Sequence, residues 1–136
     1  MIKGVSKGKD PFSHVDYRLA RRSIIRNFHN GRLSRLDVCD AHPELLRAAR
    51  HVGEPTQECC PICEEANVVL VSYAFGTGLG PAGHCVSTKA ELFKLSKRTS
   101  ELTCYVVEVC PECSWNHLTR SFGVRGGRVS PQASTS

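Results

Sequence analysis

Two short cysteine motifs carry the clearest chemistry in this sequence. Residues 60–63 read Cys-Pro-Ile-Cys and residues 110–113 read Cys-Pro-Glu-Cys, so the pattern Cys-Pro-x-Cys occurs twice. Two residues between the thiols allow one tight turn to direct both sulfurs at a single ion, and two such turns complete a tetrahedral site. The spacing therefore predicts one structural Zn²⁺ held by Cys60, Cys63, Cys110 and Cys113.

A second use of the first motif is open. Cys-Pro-x-Cys pairs also occur in redox proteins, so Cys60 and Cys63 are alternative candidates for a thiol–disulfide oxidoreductase. A redox pair, however, is expected at the start of a helix in a βαβ unit, and the residues that follow both motifs are typical of strands. Four thiolates also fill the coordination sphere of zinc and leave no position for a reactive water. We expect no enzyme, no catalytic residues and no small-molecule substrate.

Four cysteines lie outside the two motifs. We expect three of them to be small buried hydrophobes rather than ligands, namely Cys59, Cys85 and Cys104, since free cysteine is among the most buried residue types. Cys39 is expected to be structural, because no second ligand pair lies near it in the sequence. The spacing of Cys39 with His42, and the adjacency of His84 and Cys85, leave open whether either pair binds metal.

Three segments rich in β-branched and aromatic residues flank the motifs, and they are predicted strands: residues 67–75, 102–109 and 117–124. The order turn, strand, strand, turn, strand resembles the zinc-ribbon class over roughly residues 60–124. The resemblance implies a three-stranded antiparallel sheet with little core of its own. Metal binding would then supply on the order of 10 kcal/mol of its folding free energy.

The two motifs are 46 residues apart, more than a simple ribbon requires, and the excess predicts an insertion at about residues 76–101. Residues 76–83 are rich in glycine and read as a connector; no phosphate-binding Lys-Ser/Thr follows them at the required spacing. Residues 88–91, Thr-Lys-Ala-Glu, have the form of a capping box that opens a helix ending near Lys97.

The N-terminal segment, residues 1–58, is predicted to be helical and basic. Residues 13–16, Ser-His-Val-Asp, resemble a capping box, and Gly31 supplies a stop signal. A second helix is predicted from Pro43 to about His51, with Gly53 beyond it. The segment carries 11 Lys/Arg against 7 Asp/Glu, whereas residues 59–136 carry 7 against 6.

The first helix is predicted to have two unlike sides. At 100° per residue, one side carries Tyr17, Ala20, Ile24 and Phe28 and is expected to pack on the rest of the protein. The other side is either a solvated basic face or a docking surface for acidic protein or phosphate. The candidate partner-binding residues on it are Val15, Arg18, Leu19, Arg22, Arg26 and His29.

These elements together predict an α+β protein with three parts. Residues 1–58 form a basic segment with two helices, residues 59–124 form a zinc ribbon with a helical insertion, and residues 125–136 form a flexible tail that is small and polar. The start of the chain lacks an apolar run after its lysines, and no apolar run approaches the roughly 20 residues that span a bilayer. We therefore expect a cytoplasmic protein without membrane contact. In the reducing cytosol, cysteines more often bind metal than form disulfides.

Residues 37–50 together with the two Cys-Pro-x-Cys motifs resemble an actinobacterial family of short, uncharacterised proteins. The resemblance spans nearly the whole chain except the tail. It implies an intracellular accessory role and carries no catalytic residues to transfer.

The preferred functional hypothesis is a non-enzymatic factor that binds the bacterial transcription machinery, with RNA polymerase as partner. A ribosome-associated or RNA-binding factor is the alternative. Four thiolates around one Zn²⁺ would lower the formal net charge from +5 to about +3. A charge this small favours docking on protein, so nucleic-acid contact is expected to be secondary.

Overall fold

The structure is a computed structural model that describes residues 14–81, 83–99, 101–125 and 128–129. This part of the chain is a mixed α+β protein with an antiparallel sheet and four helices. The helices are α1 (Arg18–His29), α2 (Arg35–Val38), α3 (Pro43–Val52) and α4 (Lys89–Arg98). The strands are β1 (Val15–Asp16), β2 (Glu54–Cys59), β3 (Asn67–Gly76), β4 (His84–Val86), β5 (Glu101–Val109), β6 (Asn116–Arg125) and β7 (Arg128–Val129).

The sheet is built around β3, β5 and β6, which coincide with the three predicted strands. The order is β1-β6-β5-β3-β2, with β4 also paired to β3 and β7 also paired to β6. The expectation of a three-stranded sheet was therefore wrong, because seven strands are present in the described residues. Three of the additional strands, β1, β4 and β7, have two or three residues, too few for a period-2 pattern. The fourth, β2, has six residues but is exposed at all but one position, so it shows no alternation of apolar and polar residues.

The central strands bury both faces of the sheet. Along β5, Leu102, Cys104 and Val106 belong to a cluster that includes Leu95 of α4. Alternate residues of the same strand, Val107 and Val109, belong to a second cluster. That cluster includes Leu45 and Ala49 of α3. Helices α3 and α4 thus cover opposite faces, as the alternation of side chains along a strand requires.

The start of α1 differs from its prediction. Residues 15 and 16 pair with Ser121 and Arg120 of β6, so the helix begins only at Arg18. The carboxylate of Asp16 accepts a hydrogen bond from the Arg18 amide at 2.7 Å. Ser13, which was expected to cap this helix, lies outside the described residues. Pairing with the exposed edge of β6 satisfies backbone groups that a longer helix would have satisfied internally.

The two other predicted helices begin near their predicted starts, whereas the short helix α2 was not predicted, so the described part of the N-terminal segment has three helices rather than two. The predicted second helix is α3, and the side chain of His42 accepts from the Glu44 amide at its N-terminus. In α4 the Thr88 hydroxyl accepts from the Glu91 amide at 3.1 Å, and the Glu91 carboxylate accepts from the Ser87 amide at 2.9 Å.

Of the predicted tail, residues 125–136, only 125 and 128–129 are described. They lie in β6 and β7, where Arg125 pairs with Arg128. The remainder of the predicted tail is outside the described residues. Within the described ranges, every helix is too short or too polar to cross a membrane.

Candidate metal centre

The two Cys-Pro-x-Cys motifs form the turns of two neighbouring hairpins. The first turn joins β2 to β3, and the second joins β5 to β6. Strands β3 and β5 pair antiparallel with Val69 opposite Val109, so the start of β3 lies beside the end of β5. This register brings both turns to the same end of the sheet, although 46 residues separate them in the sequence.

The two turns have similar backbone geometry, although the hydrogen bond that closes each turn spans residues 60–66 in the first and 110–115 in the second. The amide of Cys60 donates to the carbonyl of Ala66, and the amide of Cys110 donates to the carbonyl of Trp115, each at 2.8 Å. The residue after the second cysteine is left-handed in both turns, with φ of 58° at Glu64 and 76° at Ser114. These are the positive-φ residues other than glycine in the described chain. A conformation that side chains avoid, adopted at matching positions, indicates that both turns are shaped to the same requirement.

The sulfur positions match a tetrahedral ion site. The Sγ atoms of Cys60 and Cys113 are 3.7 Å apart, and those of Cys63 and Cys110 are 3.6 Å apart. All four Sγ atoms lie within 4.8 Å of one another. A tetrahedron with metal–sulfur bonds of about 2.3 Å has edges of about 3.8 Å. The four predicted cysteines are therefore close enough to hold one metal ion.

Backbone amides support negative charge on these sulfurs. The amides of Ile62 and Glu65 lie 3.4 Å and 3.5 Å from the sulfurs of Cys60 and Cys63. In the second turn the Cys113 amide lies 3.5 Å from the sulfur of Cys110. Each N–H donates to sulfur, an arrangement that favours the thiolate.

The pKa values of the cluster show a balance between burial and these donors. Burial opposes ionisation of Cys63, but the Glu65 amide and the neighbouring thiols outweigh it and lower the pKa of Cys63. Burial raises the pKa of Cys110 to about 11 and the pKa of Cys113 well above its ordinary value. Four thiolates at such short separations repel one another, so a bound cation is needed to hold all four ionised.

A fifth thiol lies beside the cluster. The Sγ of Cys39, at the end of α2, donates to the Sγ of Cys113 at 3.5 Å. Cys39 is outside the group of four whose sulfurs all lie within mutual reach. Its position is that of a neighbour which hydrogen-bonds to a ligand sulfur. His42, the residue considered with it as a metal ligand, instead caps α3.

The N-terminal helices and the cysteine turns share one hydrophobic cluster. Cys60, Cys110 and Trp115 are fully buried there. Partly buried side chains of α1 pack on the cluster, and they include Ile24, Ile25 and Phe28. The segment after α2 is tied to the second turn, since the Ala41 amide donates to the Ser114 carbonyl at 3.1 Å. Residues from the predicted N-terminal segment thus enclose the cysteine site.

A buried polar network joins α1 to the sheet beside this cluster. The guanidinium of Arg21 donates to both carboxylate oxygens of Glu108, at 2.7 and 3.0 Å. The Trp115 indole N–H donates to the same carboxylate at 2.8 Å. Glu108 is only 4% exposed. Sequence reasoning missed this network, because the two ends of the ion pair are 87 residues apart and nothing local marks either one.

The side of α1 that packs on the rest of the protein is shifted by one residue from the predicted side. Ala20, expected to pack, is exposed, and Arg21 is turned inward. A single inward arginine satisfied by Glu108 rotates the contact stripe toward Arg21 and Ile25. Five of the six candidate partner-binding residues remain exposed on α1, namely Arg18, Leu19, Arg22, Arg26 and His29. The sixth, Val15, was placed on the helix but is half-buried in β1.

The remaining thiols divide by burial. Cys104 is buried as expected, and burial raises its pKa to about 12. Cys85 is half-buried on β4. Cys59, expected to be buried, is exposed at the end of β2. His84, considered as a metal ligand with Cys85, is 3.0 Å from the carboxylate of Glu91, and neither joins a metal-binding group among the described residues.

Comparison with known proteins supports the resemblance seen in the sequence. The chain is 45% identical over 114 residues to the uncharacterised protein Rv0049 of Mycobacterium tuberculosis, covering 84% of this chain and 83% of the relative. The uncharacterised protein Mb0050 of Mycobacterium bovis is similar to the same extent. No solved structure matches the chain significantly. The predicted resemblance to an uncharacterised actinobacterial family is confirmed: through residues 10–135 the chain belongs to DUF5318, a family of unknown function.

Proposed function

We propose that this protein is a non-enzymatic zinc-ribbon factor of the bacterial cytoplasm that docks on RNA polymerase through the outward side of α1. One observation carries it. Helix α1 packs against the four-cysteine cluster with Ile24, Ile25 and Phe28, while it presents a row of basic residues to solvent. In this arrangement the metal stabilises the cysteine turns against which α1 packs, and the exposed side of α1 provides the contact surface.

Zinc is the metal that best fits the ligand set. All four donors are sulfur, which selects soft or borderline metals, and a closed tetrahedral Cys₄ set is typical of structural zinc. Zn²⁺ would supply cross-linking between two hairpin turns, and the chain's own residues supply the amide donors. An iron ion in the same cage is the alternative that metal analysis separates.

The outer face of α1, defined as Arg18, Leu19, Arg22, Arg26 and His29, has the features of a protein-docking surface. Leu19 is 78% exposed among the basic residues. Residues 18–36 contain six arginines and no acidic residue. In α2, Leu36 is 87% exposed. Exposed leucines among arginines suit an acidic partner surface with an apolar notch better than a uniform phosphate backbone.

The balance of charge supports a protein partner over bare nucleic acid. The sequence pI is about 8.9, and a zinc-loaded site leaves a net charge near +3. Independent duplex binders generally carry a stronger positive charge. Contact with DNA or RNA is then secondary to docking.

The burial of the first motif argues against thiol–disulfide exchange. Cys60 is 0% exposed, and in such exchange a thiolate must reach the sulfur of the substrate disulfide. Cys63 is only half-buried, but its sulfur lies 3.6 Å from that of Cys110, in the arrangement of a metal cage.

Affinity capture with purified components tests the docking. The zinc-loaded chain is immobilised and offered core RNA polymerase and ribosomes in separate reactions at moderate salt. We expect polymerase to be retained, and the double variant Arg22→Glu/Arg26→Glu to lose at least about tenfold in affinity. The control Arg47→Glu changes an exposed arginine of α3 and is expected to bind normally. Retention of ribosomes without polymerase would overturn the choice of partner.

A further inference from the structure

A cavity of about 520 Å³ lies on the sheet face covered by α4. The three central strands contribute to it through Ser72 of β3, Val106 of β5 and Phe122 of β6. Helix α4 adds its first turn, and His14 lies just before β1. None of the described lining residues belongs to the four-cysteine cluster, so the cavity is separate from the metal centre.

The cavity contains an unpaired cation. Arg120 is half-buried, and within the described part of the chain its guanidinium forms no ion pair with a carboxylate. Its Cζ atom lies 5.0 Å from the centre of the Phe122 ring. The pairing of β5 with β6 shifts register at a β-bulge between Val106 and Val107, so that Leu118 lies opposite Val107 while Arg120, rather than Thr119, lies opposite Val106. The bulge thereby aims this arginine into the cavity.

Other groups around the cavity also favour an anion. Both ring nitrogens of His14 are buried and have no hydrogen-bond partner among the described residues. Lys89 opens α4, whose N-terminus carries a partial positive charge. Glu54 is the one carboxylate among the described lining residues, and it is exposed. The lining therefore has more positive than negative charge, together with polar atoms that lack partners.

The rest of the lining is apolar. Val86, Val106 and Phe122 are buried against the sheet. Phe93 of α4 also lines the cavity and is 52% exposed, so an aromatic ring stands at its open side. Small-molecule sites in proteins typically combine an apolar lining of this kind with a few convergent polar groups, in volumes of about 300–1,000 Å³.

We propose that this cavity binds a small amphipathic carboxylate, with the carboxylate on Arg120 and an aliphatic body against Val106, Phe122 and Phe93. A guanidinium matches a carboxylate in a bidentate pair. One half-buried cation neutralises a monoanion, whereas a doubly charged phosphate would keep uncompensated charge in a partly apolar site. This site is independent of the proposed metal-dependent docking and does not require it.

Titration calorimetry of the zinc-loaded full chain with decanoate tests the inference, with decanol as a neutral analogue of the same chain length. We expect one saturable site for decanoate and at least about tenfold weaker binding of decanol, because a charge-assisted pair is lost. The variant Arg120→Gln should also bind decanoate at least about tenfold more weakly. Arg98→Gln removes the same charge from the exposed end of α4 and should change the affinity less than about twofold.

A second variant, Ser72→Leu, tests the site independently in case Arg120→Gln does not fold. Ser72→Leu fills the cavity without changing charge, and circular dichroism reports whether each variant is folded. Loss of decanoate binding in folded Ser72→Leu supports the site, and unchanged binding overturns it. Absence of saturable binding by the wild type, equal binding of decanol, or equal effects of Arg120→Gln and Arg98→Gln would each overturn it as well.

Discussion

The buried carboxylate of Glu108 gives the sharpest test of how α1 is held on the sheet. In Glu108→Gln the charge is removed while the shape is kept, so the Trp115 indole retains an acceptor but Arg21 loses its counter-ion. The side chains of Glu108 and Arg21 are 5% and 24% exposed, and their closest atoms are 2.7 Å apart. Breaking a buried pair generally costs about 3–5 kcal/mol, and hydrogen bonds to charged groups contribute about 1.5–3 kcal/mol each.

Partial access of water to Arg21 reduces the expected cost. We therefore expect Glu108→Gln to lower the free energy of unfolding by about 2–3 kcal/mol. A double-mutant cycle with Arg21→Met should give a coupling energy of about 1–2 kcal/mol, since each single variant leaves the other partner unpaired. Urea unfolding of the zinc-loaded protein, followed by the fluorescence of the single tryptophan, measures both quantities.

The exposed pair of Glu101 and Arg125 provides a matched control. Its side chains are 46% and 49% exposed, and the closest atoms are 2.8 Å apart. Because exposed ion pairs contribute about 0–1 kcal/mol, Glu101→Gln should cost less than about 1 kcal/mol. A cost for Glu108→Gln no larger than that of Glu101→Gln, or a coupling below about 0.5 kcal/mol, would refute the view that this network anchors α1.

Three further predictions concern the cysteines. Cys60→Ser should abolish binding of one zinc per chain and unfold the cysteine end of the sheet, whereas Cys59→Ser, at the exposed neighbouring position, should keep the metal. Elemental analysis measures the zinc and circular dichroism measures folding. Equal zinc content in the two variants would contradict the assigned ligands. Cys39→Ser should keep one zinc but lower the affinity for it by about 10–100-fold, because the hydrogen bond to Cys113 is altered. A competition titration with a chelator measures this affinity. Loss of one equivalent of metal would instead make Cys39 a ligand. Burial raises the pKa of Cys104 from 9.0 to about 12, so its neutral form contributes stability that is fully present below pH 9 and is lost as the pH rises toward 12. Between pH 8 and pH 10 the wild type should lose about 1.4 kcal/mol more than Cys104→Ala in urea unfolding, and parallel pH profiles would contradict this.

The sequence by itself determined the elements whose signals are local. The spacing within each Cys-Pro-x-Cys turn indicated the four sulfurs, because two intervening residues fix the direction of both thiols. Runs of β-branched residues predicted β3, β5 and β6, and Pro43 and Thr88 predicted the starts of α3 and α4. Each of these signals depends on neighbours in the chain, whose relative positions are limited by backbone geometry.

Tertiary structure alone decided the features that join distant residues. Whether Val15 continued a helix or joined a strand depended on the free edge of β6, about a hundred residues later in the chain. The position of Cys39 beside Cys113 spans 74 residues, and the pairing of Arg21 with Glu108 spans 87. Such contacts follow from the register of the sheet and from the packing of α1, and a local pattern carries no information about either. The same holds for Arg120, whose place in the cavity is set by a bulge that only strand pairing creates.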